Sequence, residues 1–358
     1  MSGRSSQNDI RLFERSRQRN KNRMNPPKPA ETKLVISSYH RFTLWRSPPE
    51  MAAGVRQRWP EMRVVDLPHY DQITSELPDT DIFVGLTLRP DQLREAKRLK
   101  WVHTTSAGVG QLMYPEFRSS GIILTNASGV HAPAMAEHIT GMIVAMARDF
   151  PGAMRYQAQK KWAQQEIWDG PARPRELSGA VALIVGFGAV GRAVAERLRG
   201  FGMRIWAVTR SGKTDASLAE RAFPISELNA ALPSADYVIL AAPETPETHH
   251  LIGAEQLAAM KRSAILVNVA RGSLVDQAPL VAALEKRAIG GAALDVASPE
   301  PLPPESPLWS LENVFITPHT SGISERIWER ETELLIDNLE RWFRGEPLRN
   351  RVDLARGY

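Results

Sequence analysis

Three residues far apart in the chain carry side chains that proton and hydride chemistry requires. Arg271 follows an apolar run in Asn268-Val269-Ala270-Arg271-Gly272, Glu300 lies in Ser298-Pro299-Glu300-Pro301, and His319 closes Ile316-Thr317-Pro318-His319. Reducing a ketone needs a proton donor for the developing alkoxide, and imidazole titrates near neutral pH. A neighbouring carboxylate orients the ring and favours its protonated form. A guanidinium is a permanent planar cation that can fork onto a carboxylate and polarise a carbonyl. Taken singly, such an arginine is usually an ion-pair partner and such a histidine a structural group. Their conjunction behind successive apolar runs is what singles them out.

A second motif supplies the redox partner. Leu183-Ile184-Val185-Gly186-Phe187-Gly188-Ala189-Val190-Gly191 is an apolar strand running into a GxGxxG turn and then into a helix. Gly186 permits the tight turn, Gly188 lets a pyrophosphate approach the backbone, and Gly191 lets the helix pack on the sheet. The N–H groups around Ala189 and Val190, at the positive end of that helix, face the phosphates. The next strand ends in Thr209-Arg210-Ser211, where NAD enzymes usually place an acid for the ribose 2′-hydroxyl. No carboxylate is present, and Arg210 can fork onto a 2′-phosphate, so NADP(H) is favoured over NAD(H).

These side chains must be held by strands that end at a common edge. Short apolar runs alternate with helical spacing from Lys33 onward. Strands are predicted at Leu34–Ser37, Met62–Asp66, Asp81–Gly85, Trp101–Thr104 and Gly121–Thr125. A long buried helix follows over 133–150, and 164–177 reads as an irregular connection. A second run of strands covers Ala182–Val185, Arg204–Val208, Tyr237–Leu240, Ile265–Val269, Gly291–Val296 and Val314–Ile316, before a last helix at Glu325–Phe343. Such alternation predicts an α/β protein with doubly wound parallel sheets. The length of 358 residues favours two domains. Ligands of such sheets bind outside the carboxyl ends of the strands, where Arg271, Glu300 and His319 would meet.

Composition narrows the class. The chain is 43% hydrophobic and 24% charged, as ordinary globular proteins are. No stretch is long and apolar enough for a membrane span, and no secretory leader is expected. Cysteine is absent, which excludes disulfides and thiol nucleophiles and fits a reducing cytoplasm. The net charge is +5, and residues 1–32 alone hold eight basic residues against three acidic ones. The remainder is formally neutral, so a nucleic-acid surface on the folded body is not expected. Residues 1–32 read as a disordered basic tail, in preference to an anion-binding arm or an organellar presequence. No histidine has metal-ligand spacing, so no metal is expected.

Together, Gly186 to Gly191, Asn268–Asp276, Ala293–Val296, Glu300–Pro303 and Thr317–His319 resemble the D-isomer-specific 2-hydroxyacid dehydrogenases. Asp236–Val238, Pro243–Thr248, Ala136–His138 and Gly345–Asp353 extend the resemblance over almost everything from Lys33 onward. It implies a Rossmann cofactor domain, 131–321, inserted in a discontinuous flavodoxin-like substrate domain of 33–130 with 322–358. It also implies a homodimer, and a hinged cleft that closes over the substrate. In the resemblance Arg271 clamps the substrate, His319 is the acid/base and Glu300 its partner. Asp295 and the backbone at Ala270 meet the nicotinamide carboxamide, and Pro243 and Thr248 lie over the cofactor. Ser106, Ala107 and Gly108 offer backbone N–H groups to the substrate carboxylate, an anion nest in physical terms.

Pro301–Trp309 is similar to the glyoxylate/hydroxypyruvate reductase branch, so the expected reaction is reduction of a small 2-keto acid to the D-2-hydroxy acid. Two other readings remain open: a phosphoglycerate- or phosphite-type dehydrogenase of the same family, and a non-catalytic dinucleotide-sensing scaffold.

Overall fold

The computed structural model describes residues 26–40 and 42–357. They fall into two compact units, one comprising residues up to Ala127 together with Trp328–Gly357, the other Ser128–Ile327. Most of the basic tail, residues 1–25, lies outside the described residues. Residues 29–32, expected to fall within the disordered tail, are instead folded. Pro29–Glu31 forms a 3-10 turn, and Thr32 is buried with its hydroxyl donating to the Lys28 carbonyl at 2.8 Å.

The first unit is built on five parallel strands, β1 (Lys33–Ser37), β2 (Arg63–Asp66), β3 (Ile82–Gly85), β4 (Trp101–Thr104) and β5 (Ile123–Asn126), in the order β2-β1-β3-β4-β5. Every residue of β1 is buried, as a sheet covered on both faces requires. Alternation sorts its side chains. Leu34 and Ile36 pack with Ile82, Val84 and Trp101 under the helices Pro49–Arg58 and Ile327–Arg344. Val35 packs on the other face with Phe83, Val102 and Phe117.

The last helix is pinned to the sheet by a polar contact in that core. His103 Nε2 lies 2.8 Å from Glu331 Oε1, and both residues are at most 1% exposed. The other ring nitrogen meets the Thr125 hydroxyl at 2.7 Å, which also accepts from Trp101 Nε1. The free edge of β5 is then closed by the chain's end. Asn126 N donates to Asn350 O, Val352 N donates to Leu124 O, and Thr125 bridges Arg351 antiparallel.

The second unit carries seven parallel strands: β6 (Val181–Val185), β7 (Arg204–Thr209), β8 (Arg221–Pro224), β9 (Tyr237–Leu240), β10 (Ile265–Asn268), β11 (Gly291–Leu294) and β12 (Val314–Ile316). Their order is β12-β11-β10-β9-β6-β7-β8. The chain runs outward from β6 through β7 to β8 and then returns to place β9 on the other side of β6. That reversal is the topological switch of a doubly wound sheet. One face is covered by the helices Ala132–Ala147 and Ala189–Gly200, through Ile139, Ile143, Val194 and Leu198.

Three local details depart from the sequence reading. Strand β8 was not expected: Arg221-Ala222-Phe223-Pro224 is too short and too polar at its start to announce itself, and it pairs only with β7. The long helix stops at Ala147 instead of 150. Asp149 takes φ 52° and caps a new helix, Phe150–Ala158, by accepting from Gly152 N. The connection expected to be irregular contains the helix Gln164–Asp169.

Candidate active site

Parallel strands place all their carboxyl ends at one edge, and in the second unit that edge collects the chemistry. Strands β10, β11 and β12 are neighbours. Arg271 therefore follows β10, Asp295 and Glu300 follow β11, and His319 follows β12, on strands about 4.8 Å apart.

Glu300 and His319 are in direct contact. His319 Nδ1 donates to Glu300 Oε2 at 2.8 Å, while Glu300 Oε1 accepts from Ala297 N at 2.9 Å. The carboxylate fixes the ring and its tautomer, leaving Nε2 as the face that can give or take a proton. Both side chains stay partly exposed, the histidine at 52%.

His319 itself has φ 54°, in the left-handed region that side chains seldom adopt. A buried carboxylate holds it there. Asp295, 2% exposed, accepts from the Thr317 hydroxyl at 2.6 Å, from Thr320 N at 2.8 Å and from Ser321 N at 3.0 Å. Its own carbonyl accepts from His319 N at 2.8 Å. Burial pushes the Asp295 carboxyl up, but the hydrogen bonds from Ser321, Thr317 and Thr320 outweigh it and hold the group below the usual carboxylate range. The Thr317 hydroxyl has one proton and gives it to Asp295, so His138 Nε2, 2.9 Å away, must donate to Thr317. His138, Thr317 and Ser321 are positioning residues that the spacing of the sequence did not reveal.

Arg271 is exposed, and its guanidinium donates to the carbonyl of Ala270 at 2.7 Å. It has no carboxylate partner among the described residues, so its charge is available to a ligand. The segment is fixed by Asn268, which donates to Arg271 O and accepts from Ala270 N. The Ser273 hydroxyl donates to Glu244 Oε1 at 2.6 Å.

The glycine turn fits a dinucleotide pyrophosphate. Gly186 has φ 94°, and a Cβ there would lie 2.5 Å from Ala242 N. A Cβ on Gly191 would lie 2.2 Å from Gly186 O, whereas Gly188 faces open space. No side chain caps the helix Ala189–Gly200, which leaves the first-turn N–H groups of Ala189, Val190 and Gly191 for an anion. Beyond β7, the Thr209 hydroxyl donates to Lys213 O and shapes the turn that holds Arg210 and Ser211. Beyond β9, the Thr248 hydroxyl donates to Pro243 O at 2.7 Å. Glu247 on that loop has its carboxyl held down by the Thr245 hydroxyl and its own backbone, with the Arg210 cation adding to the effect. Glu247 is thus an acid within electrostatic range of the arginine expected to read the ribose, another residue missed by the sequence reading.

In the first unit, Ser106, Ala107 and Gly108 follow β4. Ser106 O accepts from Ala127 N at 3.1 Å and Ala107 O from Asn126 Nδ2 at 2.8 Å. The carbonyls are therefore engaged, while the N–H groups of Ala107 and Gly108 have no acceptor among the described residues. No group of three or more His, Cys, Asp or Glu among the described residues could hold a metal ion, and no helix there is long and apolar enough to cross a membrane.

Comparison with known proteins bears on this arrangement. The family profile described as D-isomer specific 2-hydroxyacid dehydrogenase, NAD binding domain, matches residues 140–321. A glyoxylate reductase of Korarchaeum cryptofilum is 37% identical over 287 residues, covering 78% of this chain and 85% of that protein. A D-3-phosphoglycerate dehydrogenase of Methanocaldococcus jannaschii is 30% identical over 287 residues, covering 79% of this chain but only 54% of that protein. Among solved structures, a D-isomer specific 2-hydroxyacid dehydrogenase from Xanthobacter autotrophicus Py2, in complex with NADPH and MES, superposes with a TM-score of 0.79 at 28% identity. That match covers 92% of this chain and all of the other.

The Asp295 knot makes a testable demand on stability. A group whose folded pKa is depressed contributes stability above its unfolded pKa and loses it as the pH falls through the folded value. Asp295→Asn should lower the unfolding free energy at pH 7, because its amide N–H would face the Ser321 N–H. The gap from wild type should narrow below about pH 4, where the unfolded carboxyl protonates. Urea unfolding of both proteins across that range checks it, and a gap independent of pH would contradict the ionised knot.

Proposed function

The chain belongs to the D-isomer-specific 2-hydroxyacid dehydrogenase family, and we propose that it reduces a small 2-keto acid of the glyoxylate or hydroxypyruvate class to the D-2-hydroxy acid, with NADPH preferred. It is an NAD(P)-dependent oxidoreductase by family. The observation that carries the finer reading is the contact between Glu300 and His319 on the strand edge that also bears Arg271 and the glycine turn. The glyoxylate reductase likeness at 37% identity supports the substrate class.

The residues divide the work. Gly186, Gly188, Ala189, Val190 and Gly191 would hold the pyrophosphate. Thr209, Arg210 and Ser211 would hold the adenosine ribose and its 2′-phosphate, with Pro243 and Thr248 over the cofactor. When bound, the dinucleotide supplies the hydride. The backbone at Ala270 would meet the carboxamide, and Asp295 has lone-pair capacity beyond its three donors for the same group. The N–H groups of Ser106, Ala107 and Gly108 would bind the substrate carboxylate, and Arg271 would clamp the carboxylate and polarise the keto oxygen. His319 Nε2 would deliver the proton to that oxygen as the alkoxide develops, with Glu300 stabilising the imidazolium before transfer. A phosphoglycerate-type reaction is the alternative, supported by a relative of lower identity, 30% against 37%.

We also propose a homodimer. Phe150, Met154, Trp162 and Trp168 are large apolar side chains left exposed within one short stretch, Trp162 at 94%. Covering them against a second copy would remove that surface from water. Sedimentation should give twice the chain mass, and Trp162→Glu should shift it to the monomer. A monomeric wild type would refute the dimer.

Turnover tests the catalytic assignment. His319→Ala should lower kcat with glyoxylate by ~10²–10⁴ and leave dinucleotide affinity little changed, whereas Arg271→Ala should damage both KM and kcat. Unchanged turnover in both variants would overturn the roles, and absence of wild-type activity on any 2-keto acid would overturn the reductase reading and leave the phosphite-type reaction and the sensing scaffold.

Arg210 decides the dinucleotide. Wild-type kcat/KM should be higher with NADPH than with NADH, and Arg210→Ala should raise KM for NADPH by about tenfold or more while sparing NADH, as loss of a charge-assisted pair does. A wild-type preference for NADH would reverse the assignment.

A further inference from the structure

The second unit has a concave pocket of about 500 Å3 at the opposite edge of its sheet. Ser263, Gly290 and Asn313 line it, and each lies just ahead of β10, β11 or β12. It is therefore at the amino-terminal edge, remote from the strand ends that carry Gly186, Arg271 and His319. Four arginines, Arg173, Arg175, Arg262 and Arg287, face it, against two acids, Asp149 and Glu312.

The acids do not satisfy the cations. Arg287 Nη2 lies 3.6 Å from Glu312 Oε2, so that pair is balanced. Asp149 is committed elsewhere, accepting from Gly152 N at 3.1 Å, and burial pushes its carboxyl up. Among the described residues the other three guanidinium groups have no carboxylate partner. Arg175 Nη1 donates to the Ser263 carbonyl at 2.9 Å, and Arg173 sits 5.1 Å over the Trp168 ring. Arg262 has no hydrogen-bond or ion-pair partner among the described residues. Like charges gathered in a concave surface repel unless a counter-charge joins them. Guanidinium forks match carboxylate and phosphate oxygens, and the volume falls in the range of small-molecule sites.

We propose that this pocket is a second ligand site, which takes a small polyanion bearing at least two oxyanion groups on Arg173, Arg175 and Arg262. A phosphorylated metabolite and a polycarboxylate share that chemistry. The site is separate from the catalytic edge, so its ligand acts as an effector or a stabilising ion and is not turned over. The carbonyl anchor on Arg175 and the ring beneath Arg173 hold two of the cations in place before any ligand arrives, which limits the ordering cost of binding.

Calorimetric titration of the full chain, saturated with NADPH and held at constant ionic strength, tests this with pyrophosphate in one arm and citrate in the other. One saturable site per chain is expected. Combined Arg173→Ala and Arg262→Ala should weaken it by about tenfold or more, while glyoxylate turnover without added anion is unchanged. Arg271→Ala should retain the binding, which separates this pocket from the catalytic edge. Tighter pyrophosphate assigns a phosphorylated ligand, and tighter citrate a polycarboxylate. Absence of saturable binding in both arms overturns the proposal, as does binding that Arg271→Ala abolishes and the double variant keeps. If the double variant instead changes only the oligomeric mass, the arginines serve a subunit contact and the proposal fails.

Discussion

A carboxylate buried with no lysine or arginine against it is expensive unless donors surround it, and Asp295 is the group on which the candidate site turns. Its oxygens draw in Thr317, Thr320 and Ser321, so the chain after β12 must wrap around it. That wrap sets His319 in a left-handed conformation and aims Nδ1 at Glu300. The imidazole is thus placed by a residue that its side chain does not touch. The same hydroxyl of Thr317 accepts from His138, so the knot extends into the helix Ala132–Ala147.

The larger constraint is the parallel sheet, which brings distant segments to one edge by geometry alone. Arg271, Glu300 and His319 share that edge because β10, β11 and β12 are consecutive in the sheet as well as in the chain. The glycine turn joins them because β9 separates β6 from β10. Close packing then restricts residue choice. Gly186 O stands where a Cβ of Gly191 would be, so the turn and the helix after it can approach only without side chains. The five-stranded sheet follows the same rule, and there the loop after β4 has the carbonyls of Ser106 and Ala107 tied to Ala127 and Asn126.

Much of this was legible before any coordinates, for a physical reason. Fully buried parallel strands are continuous apolar runs, and a GxGxxG turn records steric limits directly in residue type. Eleven of the strands announce themselves in this way, whereas β8 does not, since an edge strand with an exposed Arg221 needs no apolar run. The break at Asp149 was hidden because an aspartate in the left-handed region is a local choice that helical periodicity does not encode. The roles of His138, Thr317 and Ser321 depend on which groups meet a buried oxygen, and spacing along the chain carries no record of that. The arginine pocket escaped for the same reason: its four cations come from segments 173–175, 262 and 287, and each alone reads as solvated surface.

The closing of β5 by Asn350–Val352 has a consequence for how molecules of this protein meet one another. An open outer strand offers a row of unpaired N–H and C=O groups, a template on which another chain's strand can nucleate. Residues 350–352 occupy that row with bonds to Leu124 and Asn126. That segment of the chain therefore works as a selvedge, finishing this edge of the sheet so that a strand of a neighbouring copy finds no open row to pair with there.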